Sequence, residues 1–361
     1  MDEQPKHTRR IRYSGTHPKT FKEKYKELNP EQYAEEVEKI LQQGKTPAGM
    51  HRSICVQEIL DFLQVQPGQV GLDATLGYGG HTLELLKCLT PGGHLFATDV
   101  DSIELPKTIE RLKNLGYGEE VLSIRKMNFA GIDQIAAEAG QLDFVLADLG
   151  VSSMQIDNPD RGFSFKIEGP LDLRLNPYAG KTAAAYLKTV DVEELTDVFI
   201  ANADEPHAAA IANAITTTFK KGNPINTTTQ LKNIITTTLS ALPKRPSNDE
   251  IKKTCQRCFQ ALRIEINDEF TVLDKFLSRL PDVLKPGGRV AILSFHSGED
   301  RHKKSISSLL PRWHFCRNCL RTYPPICPRM QQQSPRKISE VEMGGDGVGR
   351  DDQADRYVYN V

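Results

Sequence analysis

Between residues 54 and 156 the apolar positions alternate between two spacings. ICVQEILDFL carries them at the spacing of one helical face, and QVGLDATL then reads as a short buried strand. The pattern repeats as strand HLFATDVD, helix IELPKTIERLKNLG, strand VLSIRKMNF, helix IDQIAAEAG and strand LDFVLADLGVSS. Strands separated by helices of about ten residues form βαβ units, so the expectation is an α/β fold on a parallel sheet. Ligands of such sheets gather at the carboxyl ends of the strands. Asp73, Asp99, Phe129 and Asp148 all fall there.

Over 157–253 the strand pattern stops. DVEELTDVFIANAD, HAAAIANAITTTF and TTTQLKNIITTTLSAL are spaced as helices, against the low helix propensity of their threonine runs. This predicts a helical insertion that carries the substrate. CQRCFQALRIEINDEFTVLDKFLSRLPDVL then reads as one long helix or two, and LKPGGRVAILSFHSGEDR as a turn, a returning strand and a polar loop. The core is therefore expected at 46–156 and 254–301. Before it, residues 1–45 form a polar extension with one helical stretch, PEQYAEEVEKILQQG, closed by Gly44.

Charge changes this picture only locally. The formal net charge is −1 over 361 residues, so no global basic field points to nucleic acid. Yet Arg9, Arg10, Arg12, Lys19, Lys22, Lys24 and Lys26 face a single nearby acid, Glu23, and a second basic zone runs over 244–263. Such patches suit a phosphate backbone. No apolar run is long enough to span a bilayer. Seven cysteines without a legible secretory leader lead us to expect a cytoplasmic protein with reduced thiols.

The most distinctive stretch is LDATLGYGGHT, a strand end and an acid followed by Gly77, Gly79 and Gly80 and a helical run. Such a turn lets backbone approach a ligand and leaves helix N–H groups facing it. A dinucleotide loop needs G-x-G-x-x-G, which G-x-G-G does not match, although an acid does follow about twenty residues later in Asp99. A carboxylate there suits a ribose diol, while Asp73 beside the loop would repel a phosphate. A cationic nucleoside without phosphates fits, and S-adenosylmethionine is the common one. Two further loops sit at strand ends. ADLGVSSMQIDNPDRGFSF offers Asp148, Ser152, Ser153, Gln155 and Arg161 with the rings of Phe163 and Phe165, the set that a flipped base requires. SFHSGEDR offers His296 as a base or a ring contact.

Taken in order, LDATLGYGGHT, ADLGVSSMQIDNPDRGFSF, GPLDLRL, FQALRIEIND and KPGGRVAILSFHSGEDR resemble the ribosomal RNA small-subunit methyltransferase H family (RsmH, also MraW) over about 47–301. The resemblance implies a Rossmann-like class I S-adenosylmethionine-dependent methyltransferase with an inserted helical domain, making N4-methylcytidine in small-subunit ribosomal RNA, alone or in the 30S subunit. It places Gly79, Gly80 and His81 on the cofactor, Asp99 on its ribose, Phe129 near its adenine, and Asp148 and Gln155 at its methionine end. The basic extension is outside the usual family pattern.

An exocyclic amine conjugated with its ring is a poor nucleophile, whereas a sulfonium methyl is strongly electrophilic. The protein must mainly position the two, which contributes roughly 7–11 kcal/mol at best, and accept the amine proton. Asp148, or a backbone carbonyl just after it, is the candidate acceptor. Ser152, Ser153 and His296 complete the candidate catalytic set, with Arg161, Phe163 and Phe165 on the base. Two other readings compete: a methyltransferase of DNA or protein amines, and a non-catalytic RNA-binding assembly factor.

The pairs Cys255/Cys258 and Cys316/Cys319 have the spacing of a four-cysteine zinc site. The first pair shares one face of a helical run and the separation is wide, so no metal is expected. Residues 302–361 show neither period. When their codons are rebuilt one base out of frame, Met330-Gln331 must give Cys, Met343-Gly344 must give Trp, and Lys337-Ile338, Glu340-Val341 and Glu342-Met343 must each give Lys or Arg. The rest then permits an Asn-Pro-Arg-Ala-Arg ending similar to that of the family. The expectation is a frame-shifted tail that has lost the strand beside SFHS and impairs the enzyme.

Overall fold

The computed structural model describes residues 53–296, 298 and 299, together with two short strands, His314–Cys316 and Tyr357–Asn360. The expected extension at 1–45 and the remainder of 302–361 lie outside the described residues, so neither the N-terminal helix nor Cys319 is placed.

Five apolar segments form the parallel part of a sheet: β1 (Val70–Asp73), β2 (His94–Asp99), β3 (Leu122–Lys126), β4 (Leu142–Asp148) and β5 (Leu284–Leu293). With β6 (His314–Cys316) and β7 (Tyr357–Asn360) the strand order is β3-β2-β1-β4-β5-β7-β6, and β7 runs antiparallel to both of its neighbours. The strand order reverses between the parallel neighbours β1 and β4, and at such a switch point doubly wound sheets open the crevice that binds ligands. The protein therefore has the Rossmann-like α/β fold.

Helix α1 (Val56–Leu63) leads into β1, and α2 (Gly80–Leu89), α3 (Glu104–Asn114) and α4 (Ile132–Ala139) connect β1 to β4 in turn. Ile132 and Ile135 of α4 pack with Leu273, Phe276, Leu277 and Leu280 of α11 (Glu269–Val283) over Leu72, Val145, Ala147, Val290 and Ile292 of the sheet. A central strand covered in this way needs apolar residues throughout. Leu142 and Phe144 through Ala147 in β4 are at most 1% exposed.

The chain leaves the sheet after β4 through a one-turn helix α5 (Ser153–Asp157) and builds α6 (Ala183–Thr189), α7 (Val192–Ala203), α8 (Ala208–Lys220), α9 (Thr228–Ser240) and α10 (Asn248–Asn267). The threonine runs of α8 and α9 are helical after all. Thr216, Thr218 and Thr238 return their hydroxyls to the carbonyls of Ala212, Ala214 and Ile234, and the opposite positions Ile211, Ile215, Leu231, Ile235 and Leu239 are fully buried. Packing of that apolar face outweighs the propensity deficit. The insertion has a hydrophobic core of its own that runs from Phe163 to Leu262, so the expected boundary at 254 falls inside α10. The long helical run resolves as two helices, broken at Asp268, whose φ is 52°.

One expectation is overturned. The edge of β5 is not left open: Tyr357–Asn360 pairs with Arg289 to Ile292, and β6 pairs in turn with β7. Four residues at the far end of the tail suffice, because an edge ladder is made by backbone groups. Among the described residues no helix is long and apolar enough to cross a membrane.

Candidate active site

The glycine-rich turn follows β1 and is braced from both sides. Gly79 caps α2 at φ 73°, a left-handed conformation that costs other residues energy, and Gly77 also has positive φ. Asp73 lies beneath the turn, 1% exposed, accepting from Thr82 Oγ1 at 2.6 Å and Thr75 N at 3.1 Å. Burial raises its pKa, against the lowering effects of the Thr82 hydrogen bond and the nearby His81. Its oxygens are thus committed to shaping the loop.

At the end of β2, Asp99 accepts from Gly77 N at 2.7 Å and from Asp101 N at 2.8 Å. Each carboxylate oxygen retains a second acceptor site for a pair of hydroxyls. Burial raises the pKa of Asp99 as well, although those two N–H bonds oppose the shift. Phe129 opens a short turn just beyond β3, half-buried, with its ring edge-on to Phe276 at 5.1 Å. Met127 N bonds Asp99 O, so the structure brings the ends of β2 and β3 together as the sequence reading requires.

Across the crevice, Asp148 ends β4 and its N–H donates to Thr75 Oγ1 at 2.6 Å. His81, in the first turn of α2, places Nε2 3.5 Å from Asp148 Oδ2, without hydrogen-bond alignment. Both His81 Nε2 and Asp148 Oδ1 are buried polar atoms that lack a partner. Native proteins seldom leave such atoms unsatisfied. Here two of them belong to neighbouring residues, with Nε2 of one 3.5 Å from Oδ2 of the other.

The loop after β4 does something other than expected. Arg161 is 4% exposed and donates through Nη1 to Asp101 Oδ2 at 2.8 Å, while Nη2 donates to the carbonyls of Arg174 and Leu175. Asn267 holds the same strip, accepting from Leu175 N and donating to Leu173 O. Arg161 is therefore an internal latch and is not free to grip a substrate. Gln155 is spent in the same network, donating to Asp101 Oδ2 at 2.7 Å and accepting from Ser152 N at 2.8 Å. Ser152 caps α5, accepting from Gln155 N, which accounts for its hydroxyl; Ser153 begins that helix.

Phe163 and Phe165 are also corrected. Phe163 is buried in the core of the insertion, and Phe165 packs on Phe259 with ring centroids 5.6 Å apart. Phe163 is thus closed to a base, and Phe165 is half-buried and packed toward the insertion core. Cys255 and Cys258 belong to this core too, and burial raises both thiol pKa values, that of Cys258 well above the usual range.

His296 follows β5 and forms a compact turn with Glu299. Its Nδ1 accepts from Glu299 N at 3.4 Å, and Nε2 lies 3.2 Å from Glu299 Oε1. Glu299 Oε2 accepts from Phe295 N at 2.8 Å. Burial would raise the Glu299 pKa, but the bond and charge of His296, the Phe295 N–H and Arg263 together bring it below the ordinary value. Glu269 joins His296 and Glu299 in a grouping with the donor types of a metal site. The positive charge there is already provided: Arg263 grips Glu269 with two bonds of 2.8 and 2.9 Å. Asp101, Thr75, Thr82 and Glu299 escaped the sequence reading. Asp101 alone carried a signal, as the second acid of TDVD at a strand end.

Comparison with known proteins places these features in a family. The model of the MraW methylase family matches residues 48–337. Ribosomal RNA small subunit methyltransferase H 2 of Alkaliphilus metalliredigens is 67% identical over 296 residues, covering 82% of this chain and 85% of that protein. Ribosomal RNA small subunit methyltransferase H 1 of Lachnoclostridium phytofermentans is 62% identical over 309 residues, covering 85% and 84%. The Acholeplasma laidlawii protein, methyltransferase H 2, is 52% identical over 340 residues, covering 93% and 97%. Similarity to the family thus continues beyond Arg301, further than the five motifs reach.

Proposed function

This chain belongs to the MraW methylase family, and we propose that it transfers a methyl group from S-adenosylmethionine to N4 of a cytidine in small-subunit ribosomal RNA. The acceptor is read from the relatives, whose names specify ribosomal RNA of the small subunit. The observation from the structure that carries the reading is the pair of unsatisfied atoms, His81 Nε2 and Asp148 Oδ1, on residues just after the glycine turn and at the end of β4. A ligand with polar groups satisfies them, and the turn beside Asp73 disfavours phosphate.

The residues fit the cofactor. Asp99 has the acceptor capacity for a ribose diol, Phe129 stands at the neighbouring strand end for the adenine, and Gly79, Gly80 and His81 line the turn. When bound, S-adenosylmethionine supplies an electrophilic methyl group. Asp148 faces the acceptor side, where Oδ1 takes a hydrogen bond from the exocyclic amine, orients it, and draws its proton as the amine becomes cationic. His81 Nε2 lies 3.5 Å from the other oxygen of that carboxylate. The latch of Arg161, Asp101 and Gln155 keeps the loop after β4 at a fixed distance from the ribose end. Tight positioning of this kind is the main contribution a methyl transfer needs.

The substrate particle is proposed to be the 30S subunit or its RNA, with the helical insertion and the two basic zones on the RNA. Incubation with methyl-labelled S-adenosylmethionine and small subunits tests the reading. Label recovered as N4-methylcytidine from the RNA supports it. Label in DNA or protein would move the acceptor, and no label at all would leave a binding factor.

A further inference from the structure

With Phe163 buried and Phe165 packed against the insertion core through Phe259, the site still needs an aromatic face for its base, and one ring stands at the strand ends. Phe295 is 39% exposed although it directly follows a fully buried strand end, Leu293 and Ser294. In the parallel register Asp148 pairs with Leu293, and Leu149 N bonds Leu293 O at 3.0 Å, so the two chains leave the sheet side by side. Two residues further on, the ring of Phe295 lies against Gly150: a Cβ on Gly150 would touch Cδ2 at 3.6 Å. The ring therefore borders the backbone that leads out of Asp148. It is also fixed from behind. Glu299 Oε2 holds Phe295 N at 2.8 Å, His296 holds Glu299, and Phe270 closes on Gly298, where a Cβ would come within 2.6 Å of its ring.

An apolar ring exposed on a stiff turn beside an unsatisfied carboxylate has the two features that recognise an extruded base: a face to stack on and an acceptor for the edge. We propose that Phe295 is the stacking platform for the acceptor cytosine, and that His296 and Glu299 are positioning residues for that ring, with no part as a base. This rests on the function proposed above. It differs from the sequence expectation in both assignments, since that placed stacking on Phe163 and Phe165 and chemistry on His296.

The test compares Phe295→Ala, Phe295→Leu and Phe295→Tyr in the full chain. S-adenosylmethionine affinity should match wild type in all three, because the ring lies on the acceptor side, and melting temperature, lowest in Ala, should be alike in Leu and Tyr, which keep the bulk of the ring's contacts. Base stacking on an aromatic is worth enough to lower kcat/KM for small subunits roughly tenfold to a hundredfold in Ala and Leu, while Tyr stays within about threefold of wild type. Leu performing as well as Tyr would overturn the proposal, since bulk without a π face would then suffice. A second readout needs no methylation: small subunits reconstituted with 5-iodocytidine RNA are irradiated with the protein. A cross-link mapped to Phe295 supports stacking, and one confined to other residues refutes it. If wild type methylates no small-subunit RNA, the proposed function fails, and the cross-link still decides the role of Phe295.

Discussion

Asp101 and Arg161, sixty positions apart in the chain, meet in an ion pair of 2.8 Å with side chains only 2% and 4% exposed. The pair joins the end of β2, two residues beyond Asp99, to the loop that leaves β4 for the insertion. Asp101 is satisfied completely: Gln155 shares Oδ2, while Ile103 N and Glu104 N donate to Oδ1. A charge this deeply buried is tolerated only with such a full set of partners.

Removing one partner of a buried pair leaves the other charge uncompensated, at about 3–5 kcal/mol. The remaining bonds to Asp101 place Arg161→Ala at about 3 kcal/mol, the lower end of that range. Urea unfolding of the variant should show a matching fall in midpoint at constant slope. Weaker S-adenosylmethionine binding should accompany it, because Asp101 N also orients Asp99. An unchanged midpoint would mean that the latch holds nothing.

Much of this architecture was legible in the chain, and the failures share one cause. Alternating periods located β1 to β5 and the helices between them, since burial on both faces writes itself into apolar runs such as LDFVLAD. The strand-end positions of the glycine turn, Asp99, Phe129 and Asp148 follow from that alternation. Arg161, Phe163 and Gln155 were misjudged because residue type shows what a side chain can do and not whether a neighbour already occupies it. Their partners, Asp101, the insertion core and Ser152, are fixed by tertiary contacts. Phe295 stands beside a histidine with more obvious chemistry, and its exposure at a strand end is set by tertiary packing. Strand β7 was missed because four residues are too few to establish a period.

Asp148→Asn separates proton acceptance from binding. The amide keeps the size of the carboxylate and leaves the backbone bond from Asp148 N to Thr75 intact, so S-adenosylmethionine affinity by calorimetry should change only a few-fold. The amide is a poor proton acceptor, and single-turnover methylation should fall roughly a hundredfold or more, within the usual range for a general base. A rate equal to wild type would transfer the role to a backbone carbonyl after Asp148.

Glu299 makes a pH-dependent contribution whose sign can be worked out. Its folded pKa lies below the ordinary 4.5, so the folded state binds the proton less readily than the unfolded state. The resulting stabilisation is present in full above 4.5 and is lost as pH falls through the lowered folded value. Glu299→Gln should therefore destabilise the protein near neutrality, and the gap to wild type should close below the ordinary value. Asp73 and Asp99 act in the opposite sense, since their raised folded values favour the folded state at low pH and lose that advantage as pH rises through them. The difference between wild type and variant isolates Glu299 from both. A gap that persists at low pH would show that the Phe295 turn does not depend on the carboxylate charge.

The last prediction concerns the end of the chain. Tyr357–Asn360 pairs antiparallel with Arg289 to Ile292, and β6 pairs with β7 on the outer side. Ending the chain after Arg356 would free the N–H and C=O groups along that edge of β5, a row competent to pair with another molecule. The truncated protein should therefore show a lower melting temperature and concentration-dependent aggregation, read by light scattering, while the helical insertion with its separate core keeps its far-ultraviolet signal. The proposed frame shift after about codon 301 makes a different demand. The coding DNA, read one base out of frame from there, should yield an ending of the Asn-Pro-Arg-Ala-Arg type. If truncation leaves stability and solubility unchanged, β7 contributes nothing to the edge. If it does destabilise the chain and the shifted frame reads as nonsense, the tail as written supplies the working edge strand.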